Sequence, residues 1–353
     1  MAPRFVARAF LAWQMACGNV PAPAADAVAA ADAGSPADNV SAGDGAQDAD
    51  APAHTACSPL DPTLRFDHIQ ALGTHNSYHV APPKPVVPDF AYTHSPFAVQ
   101  FDHEGVRHVE LDLHHRGADK PIEVEHVPFL DDHTRCETLG LCLGQIKAWS
   151  DQHPCHHLLV VLLEVKDELN ESKLEDHFAQ LDAEVSAALP RARLFTPDDL
   201  RGAAPDVRTA VRATGWRPLA ETRGKIALVM MEGEDAVPKY KKLHSGLKGA
   251  TVFVFGDPAD PDVAAVKRDN PTAADIGALV KLGYIVRTYP NATEAERKAA
   301  LESGATLVST DHPVEKPRTP GFSIQLPGGL PSRCNPVSAP ATCTAAAVNA
   351  GVN

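Results

Sequence analysis

Ala71-Leu72-Gly73-Thr74-His75-Asn76-Ser77-Tyr78-His79 is an apolar run that ends in a polar cluster. It reads as a strand delivering its last residues to the mouth of a pocket. Three further runs share the pattern: Val106-Arg107-His108-Val109-Glu110-Leu111-Asp112, Leu158 to Glu164, and Ile122-Glu123-Val124-Glu125-His126. Each of the four runs ends in a carboxylate, an amide or an imidazole. A parallel barrel assembles its site from strand C-terminal ends in this way. The rest of the chain is then read as the means of holding four such ends together.

Strand and helix patterns alternate beyond the first run. Strands are expected at 68–74, 106–113, 121–126, 158–165, 225–231, 250–256, 283–288 and 305–309. Helical patterns lie near 95–104, 138–152, 171–188, 207–213, 260–268, 272–281 and 293–302. Thr272 and Thr293 stand where N-caps belong, ahead of acidic first turns. Eight strands alternating with helices predict a TIM-type (β/α)8 barrel, in one domain over 56–317. The Pro-, Gly- and Ala-rich tail, 318–353, is expected to wrap the barrel.

The chain has 353 residues, 44% of them hydrophobic, ample for one large core. Lys and Arg number 32 against 45 Asp and Glu, a net charge of −13. An acidic surface argues against nucleic acid as a partner. Brief membrane contact through apolar loops stays open, and a monomer is expected. No run of about 20 apolar residues is present, so no transmembrane helix is expected.

Arg4, Arg8 and the apolar stretch Ala9 to Ala16 resemble an export leader, with Cys17 as a lipid acceptor. Residues 18–55, rich in Ala, Asp and Pro, read as a disordered tether. Cys57, Cys136, Cys142, Cys155, Cys334 and Cys343 then remain, an even count that suits three disulfides in a secreted or periplasmic protein. Cys136/Cys142 and Cys334/Cys343 are close enough to pair locally, leaving Cys57 for Cys155. Neither local pair has zinc-ribbon spacing.

Asn76, Glu110, Asp112 and Glu164 offer oxygen ligands from three strands. Glu110 and Asp112 lie two apart and so share one side of a strand. Oxygen-only ligation suits Ca²⁺ or Mg²⁺ rather than Zn²⁺. His75 and His126 would flank the same pocket, one as acid and one to stabilise charge on a phosphoryl group. A lone carboxylate at a strand end is usually solvated or salt-bridged. The convergence of six such residues carries the reading. His79, His103, His108, His114, His115 and His133 are left unassigned.

These residues resemble the calcium-dependent phosphoinositide-specific phospholipases C, in their secreted bacterial and fungal branch, from about residue 66 to 313. Gly73-Thr74-His75-Asn76-Ser77-Tyr78 matches the opening strand of that family. The resemblance implies His75 and His126 as catalytic histidines, and Asn76, Glu110, Asp112 and Glu164 as Ca²⁺ ligands. It leaves Glu110 or Glu164 as general base. Arg287-Thr288-Tyr289 matches the arginine and tyrosine that face the inositol ring. Glu164-Val165-Lys166-Asp167 and Thr310-Asp311-His312-Pro313 look like the small secreted branch, and Lys166 is counted with the substrate-binding residues. Eukaryotic members carry lysines for ring phosphates on their fifth strand. Leu228-Val229-Met230-Met231-Glu232 offers none, which favours plain phosphatidylinositol as substrate. The expected activity is a Ca²⁺-dependent phosphodiesterase yielding diacylglycerol and a cyclic inositol phosphate. The rival readings are a glycerophosphodiester- or sphingomyelin-cleaving enzyme on the same barrel, and a non-catalytic barrel that binds headgroups.

Overall fold

The computed structural model describes residues 57–167, 174–231, 236–317 and 321–351. The expected export leader, Cys17, the expected tether at 18–55 and Glu232 lie outside the described residues.

Eight parallel strands form the barrel: β1 (Ile69–Thr74), β2 (Val106–His114), β4 (Leu159–Val165), β5 (Ile226–Met230), β6 (Val252–Val254), β7 (Ala265–Lys267), β8 (Ile285–Thr288) and β9 (Leu307–Thr310). They pair in the order β6-β5-β4-β2-β1-β9-β8-β7. A single parallel bridge, Phe255 to Ala265, joins the two ends. Most strand positions are buried on both faces, as a barrel wrapped by helices requires, so β4 and β5 read as apolar runs rather than alternating ones. Among the described residues, the larger of two apolar clusters extends from Leu64 to Val348 and the smaller gathers Leu72, Val308 and Ile324.

β2 shows how sequence alternation becomes two environments. Arg107 points outward, over the Trp149 ring of α2 (Leu139–Gln152), 5.2 Å from its centroid. His108, Glu110 and Asp112 point into the barrel and are fully buried. His108 fills the space beside Gly73, where a Cβ would fall 2.2 Å from the imidazole. Gly73 is therefore the residue that lets β1 lie against an inward histidine.

Two expectations are corrected. The run 121–126 is not a barrel strand. It supplies only β3 (Glu123–Val124), antiparallel to the end of β2 through Leu113↔Val124 and His114↔Glu123. A parallel crossover needs a dozen or more residues, and the connection from β2 is too short for one. The run 260–268 is not helical and instead holds β7. Its short apolar segment follows turns closed by Asp257 and Asp260 side chains on backbone N–H groups. Periodicity cannot distinguish so short a run from a helical turn. Consequently β5, counted fifth in the sequence, is the fourth strand of the barrel.

Thr293 caps α9 (Glu294–Ser303) in a reciprocal box with Glu296. Thr272 caps nothing, because α8 (Ile276–Lys281) begins four residues later, after Asp275. The C-terminal segment adds β10 (Ser332–Cys334), antiparallel to the start of β1. All three expected disulfides are present: Cys57–Cys155, Cys136–Cys142 and Cys334–Cys343. Among the described residues, no helix is long and apolar enough to cross a membrane.

Candidate active site

β1 ends by turning sharply. Asn76 adopts a positive φ of 42°, which asparagine tolerates better than most residues. Ser77 then locks the turn onto β2: its N–H donates to the Glu110 carbonyl, and its Oγ accepts from the Glu110 N–H at 2.8 Å. Asn76 is thereby placed beside the inward carboxylates of β2.

The carboxylate oxygens of Glu110, Asp112 and Glu164 approach within 4.8 Å of one another. Lys166 holds two of them, with Nζ 3.0 Å from Asp112 Oδ2 and 2.9 Å from Glu164 Oε1. The three expected carboxylate ligands are thus brought together, and Lys166 is the counter-charge of two of them. Asn76 Oδ1, Glu110 Oε1 and Asp112 Oδ1 are buried without a hydrogen bond. Buried acceptors left unsatisfied are costly, and converging oxygen acceptors are what a hard cation would satisfy. The residues therefore fit Ca²⁺. Burial pushes the Asp112 carboxyl up to about 6, against the pull of Lys166.

His75 stands between two acids. Its Nε2 is 3.5 Å from Glu110 Oε1 and its Nδ1 is 2.8 Å from Asp311 Oδ1. Burial alone would lower the His75 pKa, but Glu110 and Asp311 outweigh it and raise it to about 9. Asp311 also accepts hydrogen bonds from the Tyr289 hydroxyl and from Asn291 Nδ2. The charge and hydrogen bond of His75, with the Tyr289 hydroxyl, overcome its burial and hold it well below the usual carboxylate range.

His126 is not presented by a barrel strand. It follows β3 in a hairpin, with Nδ1 2.6 Å from Asp131 Oδ2. His75, His126, Tyr289 and Asp311 all line one cleft of about 1030 Å³, together with the loop segment Pro88 to Thr93.

Arg287 lies behind the cleft, 2% exposed. Its NH2 is 3.0 Å from Glu110 Oε2, its Nε is 3.0 Å from Ser309 Oγ, and its NH1 pairs with Asp269. The guanidinium braces Glu110, whereas Tyr289 reaches the cleft itself.

Sequence reading passed over Asp131 and His79, and it took Asp311 only as part of a strand end. Asp131 and Asp311 sit in loops; Asp311 is 236 positions from His75, and Asp131 is 52 from His79 although only five from His126. His79 lay within the opening motif, so its proximity to His75 was the available signal.

The sequence matches the family described as phosphoinositide phospholipase C, Ca²⁺-dependent, over residues 64–121 and 118–336. No curated protein sequence matches significantly. The structure is similar to a Ca²⁺-dependent phosphatidylinositol-specific phospholipase C from Streptomyces antibioticus. Identity is 22%, coverage is 70% of this chain and 95% of that one, and the TM-score is 0.57. It is also similar to a calcium-dependent phosphoinositol-specific phospholipase C from Pseudomonas sp., described in a myoinositol complex. There identity is 20%, coverage is 78% and 97%, and the TM-score is 0.59. Both likenesses support the barrel. The family match begins before β1 and ends after β10, so it takes in every barrel strand and all the residues assembled above. The chain belongs to the Ca²⁺-dependent phosphoinositide phospholipase C family.

Proposed function

We propose that this phospholipase C cleaves phosphatidylinositol at a membrane surface, outside the cytoplasm, releasing diacylglycerol and a cyclic inositol phosphate. The observation that carries the reading is that two histidines, each against a buried aspartate, share one cleft beside the carboxylate cluster. Asn76, Glu110, Asp112 and Glu164 would hold Ca²⁺, and Lys166 is the residue that must share or yield their charge. When bound, the ion supplies a lower pKa for the attacking hydroxyl and charge neutralisation at the phosphate.

The inositol 2-oxygen forms a bond to phosphorus as the bond from phosphorus to the glycerol oxygen breaks. The proton of the 2-hydroxyl passes to a carboxylate. Glu110 or Glu164 takes it, each with one oxygen held by a cation, Glu110 Oε2 by Arg287 and Glu164 Oε1 by Lys166. His126 gives a proton to the departing glycerol oxygen. His75, raised to about 9 and so cationic at neutral pH, stabilises negative charge on the phosphoryl oxygens. Tyr289 orients the inositol ring and Arg287 keeps Glu110 in place.

A headgroup panel with and without chelator tests this. Phosphatidylinositol is expected to be cleaved fastest, with activity lost in chelator and restored by Ca²⁺ better than by Zn²⁺. Full activity after exhaustive chelation, or faster turnover of sphingomyelin or glycerophosphodiesters, overturns the reading.

A further inference from the structure

The hairpin that carries His126 has only two residues in the sheet, so no barrel ladder fixes the imidazole. Something else must aim it. Immediately after His126 the chain makes a closed turn. Val127 N–H donates to the Asp131 carbonyl at 3.1 Å, and Asp131 N–H to the Val127 carbonyl at 2.8 Å. That turn returns Asp131 beneath His126, where it is fully buried.

Both oxygens of Asp131 are taken by histidines. Oδ2 faces His126 Nδ1 at 2.6 Å and His79 Nε2 at 2.8 Å, and Oδ1 faces the same His79 Nε2 at 2.8 Å. His79 is itself fully buried and anchored on its far side, with Nδ1 2.9 Å from the Tyr92 carbonyl. Its ring stacks on Tyr92 at 4.2 Å. A carboxylate can only accept, so His126 Nδ1 is a donor and its Nε2 is the nitrogen left for the cleft.

We propose that Asp131 is the positioning residue of the general acid, and that His79 is the clamp that fixes Asp131. The assignment rests on His126 being the acid, and it adds two residues that do not touch substrate. Burial alone would raise the Asp131 carboxyl, yet the hydrogen bonds from His126 and His79 hold it below its ordinary value. It is thus an ionised acceptor, as the role requires. The trio is a hydrogen-bonded chain rather than a metal site. Its nitrogen–oxygen spacings are shorter than the roughly 3.3 Å that separates two ligands on tetrahedral zinc.

Steady-state rates are compared on phosphatidylinositol and on a nitrophenyl ester of inositol phosphate, whose leaving group departs without a proton. Asp131→Asn is expected to slow lipid cleavage about 10²-fold or more, within the range of acid–base catalysis, and to recover most of that loss on the nitrophenyl ester. His79→Ala should show the same pattern with a smaller loss. Because Asp131 acts only through His126, Asp131→Asn on a His126→Ala background should cost less than about threefold further. In the wild type, a strongly downfield Nδ1–H proton resonance should be present and should vanish in His126→Ala. That measurement does not depend on any Asp131 variant folding.

Equal slowing of both substrates by Asp131→Asn, full additivity with His126→Ala, or no such resonance overturns the proposal. If His126→Ala itself slows both substrates equally, His126 is not the acid. In that case the reading beneath the proposal fails together with it.

Discussion

Asp112 is a carboxylate that the barrel buries at a cost. Its folded pKa of about 6 lies above the ordinary aspartate value of 3.8. In chelator, the folded chain therefore holds this proton over a pH range where the unfolded chain has released it. Stability should fall as pH rises from about 4 to 6, and above that the ionised group should cost at most about 3 kcal/mol. Ca²⁺ should reverse the trend by binding the ionised form. Asp112→Asn is accordingly expected to melt higher than wild type at pH 7 in chelator and to lose the rise that Ca²⁺ gives the wild type. Calorimetric melts with and without the ion check both arms. A variant less stable than wild type in chelator would show that the Asp112–Lys166 pair outweighs desolvation.

Among the elements, the two loops at the cleft mouth carry apolar side chains that none of the other described residues covers. Phe129 is 95% exposed and held at a positive φ of 66°, a conformation bulky residues rarely adopt. Leu130, Val86 and Val87 are exposed as well, and the Phe90 ring meets the His126 ring at 5.1 Å. The turn that buries Asp131 is the same turn that pushes Phe129 outward. Burying such a side chain in lipid contributes about 1.5–3 kcal/mol. Phe129→Ser should therefore weaken vesicle binding by about tenfold or more and leave cleavage of a soluble headgroup ester unchanged. Co-sedimentation with phosphatidylinositol vesicles, beside a soluble assay, separates the two effects. The same scale shows what the sequence disclosed. β1, β4 and β5 were legible because strands buried on both faces are largely apolar runs, and β2 because its apolar and polar residues alternate. Their ends therefore marked His75, Asn76, Glu110, Asp112 and Glu164. β7 was not legible, because three residues among Asp-rich turns carry no period. The 121–126 run misled because a hairpin folded onto β2 buries Ile122 and Val124 as a barrel strand would. Asp311 was hidden for another reason, since its partner His75 lies 236 positions away; Asp131 is only five residues from His126, but the tie comes from a loop turn that carries no period, and its second partner, His79, lies 52 away.

At the scale of the whole molecule, Cys57–Cys155 spans 98 residues and Cys136–Cys142 only 6. On loop-closure entropy, removing the first should cost about 4–5 kcal/mol and removing the second about 2 kcal/mol. Denaturant unfolding of the Ser,Ser double variants checks the ranking, and equal losses would contradict it. The barrel also has one seam, the lone bridge between Phe255 and Ala265. A cut in the turn between them would separate a piece carrying both histidines and the carboxylate cluster from a piece carrying Arg287, Tyr289 and Asp311. Neither half could turn over lipid alone, since His75 and Asp311 would belong to different polypeptides. Fused to two proteins suspected of meeting, the halves become a split reporter in which the appearance of inositol phosphate records the encounter.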